Sequence, residues 1–340
     1  MKYLSPILLC IFLLGAGCSF SDEPSPAVSE GEAVTELTQE PDTEASVTQK
    51  PPSTSSNQGV YGHSVWLARS SDAETWTLDD EELIEHASVP NITRFEKAVG
   101  DFEAGTLMIV YVDATEIASA GNGTERTGRY VSTDNGETWE DIGPVTYENA
   151  DGHVPVDPNL IQLADGTLRM YYFDFSQSVG GVVVADEGGT SQFYAADSTD
   201  GETFTVVGEV FSGDRLTDPE VINYNGTFYL FYASQAPENL GIHVAIGDEE
   251  GLTFEETEIS GDPLGIPGII EIDGELRLFG CAPSEGIGYY VGDDSFDFGE
   301  LVSLGSAFKG GFCDPDPVEL EDGSYLLVVK KAQPMQPKQP

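Results

Sequence analysis

Apolar and polar positions divide the chain into three regimes. From Leu4 to Leu14 almost every residue is apolar, and Gly15-Ala16-Gly17-Cys18 follows. About ten apolar residues are too few to span a bilayer, so this pattern predicts an export signal. Residues 19–58 reverse the balance: Ser, Thr, Pro, Glu and Gln dominate, as in SVTQKPPSTSSNQG, and aromatics almost vanish. Such a segment buries too little apolar surface to offset its ordering entropy, which predicts a tether.

Beyond residue 58 the pattern turns periodic. Five segments share one form: an apolar strand, a Gly turn, and an aromatic-rich strand. They read RFEKAVGDFEAGTLMIVYVDA from Arg94, VDPNLIQLADGTLRMYYFDF from Val156 and TDPEVINYNGTFYLFYAS from Thr217. GIPGIIEIDGELRLFGCA from Gly265 and CDPDPVELEDGSYLLVVKKA from Cys313 complete the set. The turn glycines Gly105, Gly166, Gly226, Gly274 and Gly323 lie 61, 60, 48 and 49 residues apart, one four-stranded blade each.

A second hairpin follows four of these segments, with turns in STDNGETW from Ser132, STDGETF from Ser198, GDEEGLTF from Gly247 and, more worn, GDDSFDF from Gly292. The fifth segment meets the end of the chain before its outer hairpin. SVWLARSSDAETWTLDD, from Ser64, has the missing form. N-terminal strands therefore complete the last blade, which closes the ring and removes free sheet edges. The prediction is an all-β, five-bladed β-propeller with four-stranded blades. Its bounds are signal 1–17, tether 18–58, propeller 59–332 and tail 333–340.

These motifs carry resemblances. Small residues before Cys18 resemble the lipobox of bacterial lipoproteins, although Leu14 stands four residues before the Cys where that family usually has Leu three before. The resemblance implies lipidation of Cys18 and an exported, membrane-anchored protein, periplasmic or at the cell surface. STDNGETW resembles the Asp-box of sialidases, in which Asp and Ser bond the turn backbone and the aromatic packs between sheets. Inner strands that open Asp-Pro before a D-G turn resemble those of the five-bladed propeller glycosidases that cleave arabinan, xylan and fructan.

In those glycosidases the catalytic carboxylates open the innermost strands around the central pore. Alignment on the turn glycines makes Glu96, Asp157, Asp218, Ile266 and Asp314 equivalent, with Glu220 and Asp316 two residues further on and facing the same way. Crowded carboxylates repel, so at least one is expected to stay protonated unless a cation joins them. The resemblance implies that Asp157 orients or tunes, that Glu220 or Asp218 is the acid, and that Glu96 or Asp314 is the base. Arg94, Arg215 and His153 precede inner strands and are candidates for substrate binding. Asp-Pro is also a good strand opener, which leaves a purely architectural role open for each Asp.

Three departures bear on substrate and chemistry. Blade 3 reads Thr217-Asp218-Pro219-Glu220 where the arabinan and xylan enzymes have a Glu-Gly-Pro-like step. The fructan enzymes' W-M-N-D-P-N-G start is absent, and most arginines fall away from inner-strand starts. His63, His86 and His243 show no ligand spacing.

Net charge is −46, most of it beyond residue 58, which argues against nucleic acid or anionic lipid as partners. The membrane would be met through the lipid alone. No cofactor is demanded, and clustered acids would also suit calcium. Of four cysteines, Cys10 leaves with the signal and Cys18 takes the lipid. Cys281 ends the second strand of blade 4 and Cys313 opens the first strand of blade 5, so adjacency predicts a disulfide between them. The resulting expectation is a surface lipoprotein that binds or hydrolyses a glycan in an axial pocket. The alternative is a non-catalytic propeller acting as scaffold or protein-binding module.

Overall fold

The computed structural model describes residues 59–116, 125–177, 190–236, 240–260, 265–282, 286–293 and 295–332. The chain divides between Ser53 and Thr54, and all described residues belong to the second unit. Cys18, the tether and most of the two long loops after Ala114 and Phe175 lie outside the described residues.

Five antiparallel sheets follow one another around a ring. Blade 1 runs Ala87–Arg94, Leu107–Asp113, Arg126–Ser132 and Glu140–Asp141. Blade 2 runs Pro155–Gln162, Leu168–Asp174, Thr190–Ser198 and Thr203–Asp214, with Thr146–Glu148 added in parallel at its outer edge. Blade 3 runs Leu216–Tyr224, Thr227–Ser234, Gly241–Gly247 and Phe254–Ser260. Blade 4 runs Gly265–Ile272, Glu275–Ala282, Gly286–Gly292 and Val302–Ser303. In blade 5, Phe312–Glu319 and Tyr325–Ala332 are completed by His63–Ser70 and Thr77–Leu78. Val65 registers with Lys330 there, so the N-terminal strand closes the ring.

The second strands read as unbroken apolar runs because neighbouring blades cover both of their faces. Leu107–Asp113 and Leu168–Asp174 are buried at every position. Their alternate faces feed separate clusters between blades: Met108 and Val110 pack with Tyr172 and Phe204, while Ile109 and Tyr111 pack with Val65 and Val328.

Three of the outer turns share one hydrogen-bond plan. Ser70, Ser132 and Ser198 each donate to an Asp two residues on, and those carboxylates accept the backbone N–H of Thr75, Thr138 and Thr203 at 2.8, 2.9 and 2.8 Å. Trp76 and Trp139 each donate their indole N–H to a carbonyl three residues back at 3.2 Å.

Blade 1 corrects the alignment drawn on the turn glycines. Its first two strands are joined by residues 95–106, which carry a bridge of their own between Val99 and Phe102. The corresponding connections elsewhere are only 163–167, 225–226, 273–274 and 320–324. The first strand therefore begins well before Glu96, and its opening step is Val89-Pro90.

Candidate active site

Every innermost strand opens with a residue in the left-handed region followed by proline. The φ values are +44° at Val89, +50° at Asp157, +55° at Asp218, +61° at Ile266 and +51° at Asp314. A bulge interrupts the pairing with the second strand at each of these steps. Left-handed geometry costs about 1–3 kcal/mol at a non-glycine residue, and β-branched Val89 and Ile266 fit it worst. The five X-Pro pairs, with Asn91, Glu220 and Asp316, line the axial space of the ring.

These side chains form two tiers. The inner tier lies two residues past the kink, at Asn91, Asn159, Glu220, Gly268 and Asp316. Asn91 Oδ1 accepts the N–H of Leu160 at 2.8 Å, and Asn159 Oδ1 accepts that of Val221 at 3.0 Å. Glu220 accepts the N–H of Ile269, and Asp316 Oδ2 accepts that of Ile92 at 2.5 Å. Each inner side chain thus latches the backbone of the next blade. The amide of Asn159 also donates to Glu220 Oε2 at 2.8 Å. Burial raises the Glu220 carboxyl well above its ordinary range, and the Asp316 charge adds to this. Burial pushes Asp316 up to about 8, opposed by the bond from Ile92. Both acids take part in the hydrogen-bond network that ties neighbouring blades together.

The outer tier is the kink itself, where Asp157, Asp218 and Asp314 stand with Val89 and Ile266. Asp314 is 2% exposed and takes an ion pair from Lys330 Nζ at 2.7 Å. Burial acts to lower the Lys330 ammonium, but the carboxylates of Asp314, Asp218 and Asp157 outweigh it and hold it up. Burial and then the Asp314 charge raise Asp218 to about 6. Asp157 is raised further, by burial and by the charges of Asp218 and Asp314, although it accepts the N–H of Asp218. Like charges packed at one point favour keeping protons on some of them.

Sequence reasoning missed three neighbours of this group. Lys330 comes from the second strand of blade 5. Glu125, raised by its own burial, immediately precedes the third strand of blade 1 and adds its charge to Asp157. His63 pairs its Nδ1 with Ser88 Oγ at 2.9 Å; burial and Lys330 lower it to about 4 against the pull of Asp314. The charge of Lys330 was legible in KKA, but its partner was not.

Other expected site residues lie elsewhere. Glu96 sits on the long connection of blade 1, exposed, and pairs with Arg94 at 2.8 Å at the far end of the first strand. The pair is remote from the kinks because the first strand separates them from Val89. His153 bonds Tyr172 Oη at 2.8 Å, and its ring centroid lies 4.4 Å from that of Tyr194, within the aromatic cluster of Tyr147, Tyr172 and Tyr194. Arg215 stands three residues before Asp218, with its carbonyl accepting the N–H of Gln235. Cys281 and Cys313 form the expected disulfide, Cα to Cα 5.1 Å.

The axial space enclosed by the five kinks is about 20 Å³, room for roughly one water. A sugar ring does not fit there. Beside it, a cavity of about 500 Å³ opens between blades 3, 4 and 5. Asp218 and Ile266 border both spaces, and Thr217, Gln235, Phe312 and Lys330 line the larger one. Among the described residues no group of three or more His, Cys, Asp or Glu is arranged to hold a metal ion.

Comparison with known proteins gives likeness of structure. No family model and no curated protein matches the chain in sequence. An exo-β-1,3-galactanase from Phanerochaete chrysosporium, solved with β-1,3-galactotriose, superposes with a TM-score of 0.53 at 15% identity, over 77% of this chain and 64% of its own. The chain thus spans about two thirds of that galactanase. The RS223 β-xylosidase gives 0.51 at 13% identity, over 75% of this chain and 95% of its own. A GH43_1 enzyme from Xanthomonas citri gives 0.50 at 16% identity, over 71% and 81%. At these identities the likeness speaks for architecture: the chain has the five-bladed propeller fold of the family-43 glycoside hydrolases.

Proposed function

We propose that the protein binds a glycan in the cavity between blades 3, 4 and 5 and can hydrolyse it with the outer-tier acids. The observation that carries this reading is the position of Asp218, a half-buried acid shared between the carboxylate group and a cavity large enough for sugar rings. A carboxyl held near 6 suits a proton donor to a leaving oxygen at mildly acidic pH. Asp314, ion-paired to Lys330, would supply the second carboxylate, and Asp157 would tune both. The neighbours, an exo-β-1,3-galactanase and a β-xylosidase, support a neutral glycan as the class of ligand.

A binding-only role is favoured by one observation. Blade 1 carries Val89 at the kink, and Glu220 and Asp316 are committed to backbone bonds, so the chemistry rests on the three acids of blades 2, 3 and 5. A glycan array combined with a chromogenic-glycoside screen separates the two. Release of chromophore that fails in Asp218→Asn supports hydrolysis; array binding without release supports binding alone. We further propose, from the signal and Cys18, that a lipid anchor holds this activity at a membrane surface.

A further inference from the structure

A second cavity, of about 150 Å³, lies between blades 2 and 3. Phe211, Tyr232 and His243 line it together with Leu216, Ser212, Ser234 and the carboxylates of Asp214 and Glu256. Phe211 and Tyr232 meet with ring centroids 5.1 Å apart at 48°, and Tyr232 stacks on His243 at 5.7 Å and 21°. The Tyr232 hydroxyl donates to Glu256 Oε1 at 3.5 Å, which places a carboxylate beside the rings. Asp214 supplies a second exposed carboxylate at the rim. Arg215, next to Asp214 in the chain, is not among the lining residues, and neither is any lysine among the described ones.

We infer that this cavity is a binding site for a small organic ammonium group. Aromatic faces attract a diffuse, weakly hydrated cation and offer nothing to a hard metal ion that must keep oxygen ligands. Carboxylates at the rim add attraction and discriminate against anions. A cavity of this size holds a group of about benzene volume, which matches a trimethylammonium head and excludes a whole sugar ring with its hydroxyls. The overall charge of −46 draws cations toward every opening on the surface.

The site is separate from the Asp218 cavity and does not depend on the glycan reading. Ser234 borders both cavities, so the two are neighbours along the second strand of blade 3. An ammonium ligand could therefore be a free compound or a substituent on a glycan seated next door; the chemistry recognised is the same.

Titration of the full chain with choline, and with its neutral carbon isostere dimethylbutanol, tests the inference by calorimetry or ligand-observed NMR. Choline should bind more tightly than the isostere by about 3–30-fold, the range that cation–π contact gives. Glu256→Gln, at an exposed position where the fold is not at stake, should weaken choline and leave the isostere unchanged, and Phe211→Leu should weaken choline more than the isostere. An oligosaccharide carrying a trimethylammonioethyl substituent, against the unsubstituted oligosaccharide, identifies the source. A Glu256-dependent gain from the substituent means a glycan-borne group, and choline binding alone means a free compound. Equal binding of choline and isostere, binding of neither, or choline affinity unchanged in both variants would overturn the inference.

Discussion

Gly268 and Pro317 occupy, on neighbouring blades, the positions that elsewhere in the ring supply a side-chain acceptor and a backbone N–H. Gly268 has no side chain to accept with, and Pro317 has no N–H to donate. Blades 4 and 5 are therefore the junction without an inner latch, and they are also the pair joined by Cys281–Cys313. Their backbones approach more closely instead: a Cβ on Gly268 would lie 1.9 Å from the carbonyl oxygen of Pro315.

Gly268→Ala is therefore expected to be severe. The clash is with backbone, which cannot rotate away, and a loss on the order of 3 kcal/mol or more follows. Pro317→Ala returns a buried N–H opposite Gly268, which has no acceptor for it, and should cost less, about 1–2 kcal/mol, with no backbone clash. Urea denaturation of the two variants checks the contrast; similar losses in both would argue against close approach as the reason for glycine.

Reduction of the disulfide, or Cys281→Ser with Cys313→Ser, removes the covalent tie at this junction. The bond spans a sequence separation of 32, and chain entropy for such a loop gives about 3.7 kcal/mol. Thermal unfolding with and without reductant measures it. An unchanged midpoint would show that the junction does not rely on the bond.

The inner tier gives a pH signature. Asp316 has a folded value of about 8 against an ordinary 3.8, so the folded state holds a proton that the unfolded chain has lost between those values. Stability should fall as pH rises from about 4 to about 8. Asp316→Asn keeps an oxygen to accept the N–H of Ile92, as Asn91 and Asn159 do for their neighbours. The variant should flatten this fall and unfold a few degrees higher at pH 8, since about 1 kcal/mol shifts a domain of this size by roughly 2–4 °C. A lower midpoint at pH 8 would mean that Asp316 is held ionised.

The propeller was legible because Asp-Gly and Asn-Gly turns punctuate apolar strands at blade spacing, and because the unpaired last segment called for the strand at His63–Ser70. The site was only half legible. Asp-Pro in three blades pointed to the pore, but the repeated unit is X-Pro in all five. It reads Val89-Pro90-Asn91-Ile92, Asp157-Pro158-Asn159-Leu160, Asp218-Pro219-Glu220-Val221, Ile266-Pro267-Gly268-Ile269 and Asp314-Pro315-Asp316-Pro317. The long connection at 95–106 hid the first of these by shifting it away from its turn glycine. The acidity of Glu220 and Asp316 was visible in the sequence, but the latch each makes to the next blade was not. Lys330 and Glu125 reach Asp314 and Asp157 through tertiary packing that no local pattern encodes.

Export and anchoring make a separate prediction. Cys18→Ser should move the protein out of the membrane fraction or leave its signal uncleaved, as read by fractionation and lipid labelling. Lipid labelling of that variant at the unsubstituted level would remove the anchor from the account.

The central claim is that Asp218 is the working acid of a glycan cavity. The direct measurement is turnover and affinity of wild type and Asp218→Asn on the best glycan found by screening. Turnover is predicted to drop by about 10²–10⁴-fold, the contribution of a positioned acid, while affinity stays within a few-fold. Undiminished turnover in Asp218→Asn, or a wild-type protein that binds no glycan, would contradict it.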